Sequence, residues 1–350
     1  MRKLLLPISL VYAFVLLIRH KLYDWGIFKS KSYNIPNICV GNLNLGGTGK
    51  TPHIEYLIRL LSENYKIAVL SRGYGRKTNG FIVADENHTH NDIGDEPLQY
   101  HKKFNNITVA VDEDRCEGVE KLLQEENPPQ IILLDDAYQH RKIKPGLNIL
   151  LTDYYNLYSN NNLIPTGILR DIKSAAKRAE IIVVTKSPNV LSPYNKRDIE
   201  NSLKPRPHQK IFYSYIEYQD FKPFNKISQE ININESKTIL IFCGIANIYP
   251  LEDYLKRKYN FISKVQFSDH HNFTEKDIDM VIEKFNSIIG KNKAIVTTEK
   301  DAMRLINSAL SDKFSDIPIF TIPIKVKFHK NDEDGFNNEI INYINNSLMN

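Results

Sequence analysis

A chain of 350 residues exceeds one small core and favours two domains of ordinary size. Hydrophobic residues at 42% and charged residues at 25%, with ordinary Gly and Pro, exclude wholesale disorder, collagen-like repeats and a polytopic membrane protein. A net charge of +5 leaves no nucleic-acid footprint, and Cys39, Cys116 and Cys243 form neither a disulfide framework nor a CxxC metal site.

The first element is an apolar run, residues 4–18, flanked by Arg2 and Lys3 before it and Arg19, His20 and Lys21 after it. It is shorter than the roughly 20 apolar residues of a full span, and no small-x-small cleavage site precedes the basic cluster. Residues 1–21 therefore read as a retained membrane-anchor helix, either spanning or lying on the bilayer. Its basic flanks favour the cytoplasmic leaflet.

Short β-branched runs follow at Ile38–Val40, Lys66–Leu70, Ile107–Val111, Gln130–Leu134, Leu147–Leu151 and Glu180–Val184. Between the first two, Ile54, Leu57, Ile58 and Leu61 keep a helical period. Buried runs alternating with helices predict an α/β fold with a mainly parallel sheet covered on both faces. This first domain spans 22–205. A proline-rich and polar stretch, 206–235, reads as a hinge or linker. A smaller α/β domain, 236–350, opens with a strand near 238–247. It continues with a helix capped by Thr274 and Asp277, then strands at 293–298 and 318–328.

The strongest motif is Val40-Gly-Asn-Leu-Asn-Leu-Gly-Gly-Thr-Gly-Lys-Thr51, a strand, a glycine loop and a helix start. Asn44, Leu45, Gly46, Gly47, Thr48, Gly49, Lys50 and Thr51 predict a phosphate loop, although Asn44 replaces the usual first glycine. Lys50 would reach the β- and γ-phosphates of a nucleotide, and the Thr51 hydroxyl would bind Mg²⁺. The helix terminus adds its dipole. Asp135 and Asp136, ending a neighbouring strand, supply the acid that such a site needs, and either one would hold the metal.

Several segments in order resemble the tetraacyldisaccharide 4′-kinase family. They are the hydrophobic start, VGNLNLGGTGKTP (40–52), SRGYGRK (71–77), GDEP (94–97), DDAYQHR (135–141), PTGILRD (165–171), FCGIAN (242–247), FSDHHNFT (267–274) and TTEKDAMRL (297–305). The resemblance implies ATP–Mg²⁺-dependent phosphorylation of the 4′-hydroxyl of tetraacyldisaccharide 1-phosphate, giving lipid IVA for lipid A biosynthesis. It implies a P-loop kinase domain joined to a smaller domain by a two-stranded linker. It also implies a place on the cytoplasmic face of the inner membrane of a Gram-negative bacterium, with the lipid-linked glucosamine disaccharide and the membrane surface as partners. No nucleic-acid partner and no obligate protein partner are expected.

The resemblance also implies roles. Asp95 becomes the base, paired with His270 of the second domain, with His271 as the neighbouring alternative. Such a dyad requires the two domains to meet. Asp171, where the family usually has Glu, would help hold Mg²⁺ through water, and Ala137 stands where the family pattern has Gly. Arg72, Arg76 and Arg115 are candidates for the 1-phosphate or the nucleotide phosphates. Gln139 and His140 are candidates for the phosphate or lipid headgroup. Glu299, Lys300 and Asp301 read as structural ion pairs. A membrane-associated switch ATPase shares GGTGKT, but Leu45 replaces its signature lysine, and Thr185-Lys186-Ser187-Pro188 lacks the guanine-reading aspartate of GTPases.

Overall fold

The computed structural model describes residues 2–269, 271–290, 292–306 and 309–349. The chain opens with helix α1 (Leu6–Asp24). Then come β1 (Asn37–Asn42), α2 (Lys50–Leu61), β2 (Ile67–Ser71), β3 (Ile82–Val83), the one-turn α3 (His90–Ile93), α4 (Asp95–Lys103), β4 (Ile107–Val111) and α5 (Arg115–Gln124). β5 (Ile131–Asp135), β6 (Leu147–Asp153), β7 (Ile181–Thr185), α6 (Pro193–Leu203) and β8 (Lys210–Tyr218) complete the first stretch. The second stretch holds β9 (Lys222–Pro223), α7 (Lys226–Gln229), β10 (Thr238–Cys243), α8 (Tyr249–Lys256), β11 (Phe261–Gln266), α9 (Glu275–Ser287) and β12 (Lys293–Thr298). It ends with α10 (Glu299–Leu305), α11 (Ala309–Asp312), β13 (Ile319–Ile322), β14 (Ile324–Phe328) and α12 (Lys330–Met349).

The larger sheet has nine strands in the order β14-β8-β7-β6-β1-β5-β2-β4-β3. From β8 to β4 all pairs are parallel, and antiparallel β14 and β3 close the two edges. Such strands must be apolar on both faces, and every residue of β1, β2, β5 and β7 is buried. Alternate side chains feed two cores. One packs against α5, α6 and Leu16 of α1, the other against α2, Tyr100 of α4, and Phe336, Ile340 and Ile344 of α12. The smaller sheet runs β11-β10-β12-β13-β9, parallel except at the β9 edge. The capping box of α9 is present, with Thr274 and Asp277 bonded reciprocally.

One expected strand divides. The run 318–328 breaks at Pro323, which has no N–H to donate. Its first half, β13, stays in the smaller sheet, and its second half, β14, pairs with β8 of the larger one. The tail that sequence placed with the smaller domain, 324–349, thus packs on the larger sheet. The chain crosses between sheets twice, after Tyr218 and at Pro323, and the Gln219 amide donates to the Pro323 carbonyl at 2.9 Å. This antiparallel ribbon connects the two sheets.

Candidate active site

β1 lies at the centre of the larger sheet, between β5 and β6, so its C-terminal end opens into the crevice where α/β proteins bind ligands. Gly41 lets the chain after β5 pass closely: a Cβ there would sit 2.5 Å from the Tyr138 Cβ. Gly49 caps α2 with φ of +88°, a left-handed conformation that favours glycine. The loop between them is held from several sides. The Asn42 amide donates to Thr48 Oγ1 at 2.7 Å, and Asn44 donates to the Asn156 carbonyl at 3.0 Å. The Leu45 amide bonds the Ile168 carbonyl, and Thr185 Oγ1 donates to the Thr48 carbonyl at 2.9 Å. Lys186 donates to the Gly47 carbonyl while pairing with Asp153 at 3.1 Å. His53, one turn into α2, bonds the Gly49 carbonyl through Nδ1 and Ser214 through Nε2. Burial drives its pKa down to about 4, so the ring is neutral at physiological pH.

Lys50 starts α2 and reaches Asp136 at 3.6 Å. Asp136 sits at φ of +51°, which aspartate tolerates better than most residues. The permissive backbone position is therefore Asp136 itself, and the buried Ala137 takes an ordinary one. Burial opposes ionisation of Asp136, but Lys50 and Arg170 outweigh it and hold the carboxylate below its usual range. Arg170 grips both Asp136 oxygens and donates to Asn42 Oδ1 at 2.5 Å. Asp135 next door is buried. Ser71 and Tyr100 donate to its Oδ2 at 3.4 and 3.3 Å, and Oδ1 has no hydrogen-bond partner among the described residues. Burial, then the charges of Asp136 and Glu96, push its pKa up to about 7. A buried carboxylate oxygen without a donor, beside a second carboxylate and near Thr51, suits a hard divalent cation that takes oxygen ligands.

Asp171 turns the other way. Arg170 meets the phosphate loop through Asn42 and Asp136, while Asp171 meets α1. Asp171 bonds His20 at 2.6 Å and approaches Arg178 at 3.6 Å, and none of its contacts reaches Thr51, Asp135 or Asp136. The expected metal role does not fit this orientation.

The substrate candidates separate similarly. Arg72 is exposed and has no ion pair among the described residues. Arg76 is buried against Glu113 at 2.6 Å and the Gly80 carbonyl, and Arg115 is 2% exposed, bonded to the Asp112 and Asp135 carbonyls. Both brace loops at the strand ends, while Arg76 Nε and Nη1 and Arg115 Nε have no hydrogen-bond partner among the described residues. Gln139 donates to the Asn42 carbonyl at 2.8 Å. His140 stands 3.5 Å from Asp114, and their ligand atoms lie near that of Cys116. However, Lys142 already pairs with Asp114, and the positive end of α5 disfavours a cation there.

Asp95 is the first residue of α4 and is 6% exposed. Arg304 of α10 donates to Asp95 Oδ2 twice, from Nε at 2.9 Å and Nη2 at 2.5 Å. Sequence reading missed this arginine, although it is the next-to-last residue of the TTEKDAMRL segment. Its position three residues after Asp301 was the available clue. Glu299 and Lys300 do form ion pairs, with Lys103 at 2.7 Å and Glu96 at 2.9 Å, so this helix joins the two sheets. His270 lies outside the described residues. His271 bonds Asp277 at 3.0 Å and stacks on Phe267, which makes it part of the α9 cap.

α1 lies along the same face. Among the described residues it is the one helix long and apolar enough to cross a membrane. A polar stripe pins it down. Ser9 bonds Thr166, Tyr12 donates to the Arg170 carbonyl, Arg19 donates to the Gln139 carbonyl, and His20 bonds Asp171. Leu10, Val11, Phe14 and Val15 face outward, each more than half exposed.

A parallel sheet with a glycine loop, lysine and helix start at its central strand defines a P-loop nucleotide-binding fold of the kinase type. Comparison with known proteins identifies the branch. The sequence profile described as Tetraacyldisaccharide-1-P 4′-kinase (LpxK) matches residues 1–345, and the chain belongs to that family. It is 44% identical to the tetraacyldisaccharide 4′-kinase of Bacteroides thetaiotaomicron over 360 aligned positions, covering 99% of this chain and 94% of that protein. It is 45% identical to that of Flavobacterium johnsoniae, covering 99% and 98%. Among solved structures it resembles the LpxK of Aquifex aeolicus, described as an "apo" form in complex with ATP, with a TM-score of 0.72 and 27% identity. That match covers 98% of this chain and 99% of the other.

Proposed function

We infer that this chain transfers the γ-phosphate of ATP to the 4′-hydroxyl of tetraacyldisaccharide 1-phosphate, the kinase step that forms lipid IVA. Family membership supports the reaction. The carrying observation in the structure is Lys50, at a helix start, 3.6 Å from Asp136, with buried Asp135 beside it.

The loop amides of 44–51 and the α2 dipole bind the phosphates, and Lys50 neutralises the charge that builds on the transferred group. Arg170 keeps Asp136 and Asn42 in place. Thr51, Asp135 and Asp136 are the groups that would hold Mg²⁺. When bound, the ion neutralises phosphate charge and aligns the donor. Asp95, held by the smaller sheet, accepts the proton of the attacking hydroxyl. His270 is kept as its partner on the family resemblance. Arg72, exposed near the β2 end, is the most accessible of the three candidate arginines for the 1-phosphate.

The outward apolar face of α1 supports docking on the bilayer surface, with its polar stripe turned to the protein. The enzyme then works at the cytoplasmic face of the inner membrane and takes its lipid from the bilayer. The test is transfer of labelled γ-phosphate to purified tetraacyldisaccharide 1-phosphate in detergent, with wild type beside Asp95→Asn. Lipid product from wild type alone supports the reading. No product from a folded, ATP-binding wild type moves the weight to a switch ATPase.

A further inference from the structure

Arg304 reaches from the smaller sheet into the site of the larger one, and its surroundings separate it from an ordinary interface residue. It is 2% exposed. Its Nη1 donates to Asp301 Oδ1 at 3.0 Å and approaches the His271 carbonyl at 3.4 Å. Asp301 is itself fixed, since Thr298 Oγ1 donates to its Oδ2 at 2.7 Å and the pair caps α10. The β10 exit packs over both: a Cβ on Gly244 would lie 3.3 Å from Asp301 Oδ1 and 3.4 Å from Arg304 Nη1. The guanidinium plane is therefore set before it meets Asp95.

The acceptor is equally constrained. Asp95 follows Gly94, whose φ is +91° and whose Cβ, if present, would sit 2.9 Å from the Tyr74 carbonyl. Two N–H groups of one rigid fork then converge on a single oxygen of this carboxylate. Two further ion pairs link α4 and α10 among the described residues, Lys300–Glu96 and Glu299–Lys103, and they involve more exposed side chains. A buried pair is a poor source of net stability but a good source of fixed orientation.

We propose that Arg304 is a positioning residue for phosphoryl transfer, turning the Asp95 carboxylate toward the attacking hydroxyl. This rests on the reading of Asp95 as the base. An aspartate is a weak base near neutral pH, so its usefulness depends on where it points. The smaller sheet then contributes to the reaction through this fork.

The experiment compares wild type, Arg304→Lys, Arg304→Met, Lys300→Met and Asp95→Asn as full-length enzymes, measuring kcat and KM for ATP with the tetraacyldisaccharide acceptor. The fork predicts a kcat loss on the order of 10²-fold in Arg304→Met and about tenfold in Arg304→Lys, with KM for ATP within about twofold of wild type. Lys300→Met keeps its kcat. Arg304→Lys folds with its charge in place, so it tests the fork even if Arg304→Met does not fold. An unchanged kcat in Arg304→Lys overturns the proposal, as does an equal loss in Lys300→Met, which would reduce Arg304 to docking. Asp95→Asn separates the two levels. Full activity in that variant removes the base reading and the proposal with it, whereas an inactive Asp95→Asn beside a fully active Arg304→Lys removes the proposal alone.

Discussion

On one side of the site the phosphate loop is held by Asn42, Arg170, Thr185 and Lys186, from the strands of the sheet that carries it and their connections. On the other, Asp95 is held by Arg304, which arrives from the smaller sheet. The nucleotide wall is complete within one folding unit, so it can be preorganised without the acceptor side. The acceptor wall is complete only when two units are docked. Binding and transfer should therefore be separable by mutation, and the predictions below test that separation.

The largest effect is expected at Asp95. Asp95→Asn should lower kcat on the order of 10²–10⁴-fold while ATP binding, measured by calorimetry, stays near wild type. Lys50→Met belongs to the other wall. It should cost on the order of 10²–10³-fold in kcat and weaken ATP binding as well. Equal ATP affinities in these two variants would erase the distinction between the walls.

A pH series reads the nucleotide wall by stability alone. The folded pKa of His53 is lowered to about 4 from an ordinary 6.5. A base whose folded pKa is lowered contributes stability that is present above pH 6.5 and is lost as pH falls toward 4. The full loss is about 3 kcal/mol, taking 1.4 kcal/mol per unit. His53→Gln should flatten that part of the curve of melting temperature against pH; an unchanged slope would assign the loss to other groups.

The smallest effect lies far from both walls. Thr274→Ala removes the α9 cap and should cost about 1 kcal/mol, read as a small drop in melting temperature with kcat unchanged. A large kcat loss there would mean that α9 is coupled to the acceptor wall.

Much of the fold was legible because buried parallel strands write themselves as apolar runs. All six early runs became strands of the larger sheet, and the phosphate loop and the Thr274–Asp277 cap could be read from short spacings. Less legible were features fixed by partners distant in sequence. β3 and β9 are two residues long and exist only through their neighbours. The run 318–328 has strand composition throughout, and only the competition of two sheets divides it at Pro323. Arg304 sits in Glu-Lys-Asp-Ala-Met-Arg-Leu, which reads as a solvated helix, and its burial comes from a carboxylate 209 residues away. Asp171 took its metal role from the family resemblance, while in the structure its neighbour Arg170 reaches the cleft and Asp171 pairs with His20.

The return of the chain to its first sheet has a consequence for biosynthesis. β14 and α12 follow the smaller sheet in the chain, yet they cover β8 and pack on α2, whose sheet and phosphate loop precede it. His329, at the end of β14, bonds Ser187 in the loop that steadies the phosphate loop through Thr185 and Lys186. A nascent chain halted between residues 219 and 323 holds every phosphate-binding residue and still leaves the β8 edge of the sheet open. The smaller sheet is thus translated as an interruption, and the sheet that carries the nucleotide site gains its β14 edge only after that interruption has ended.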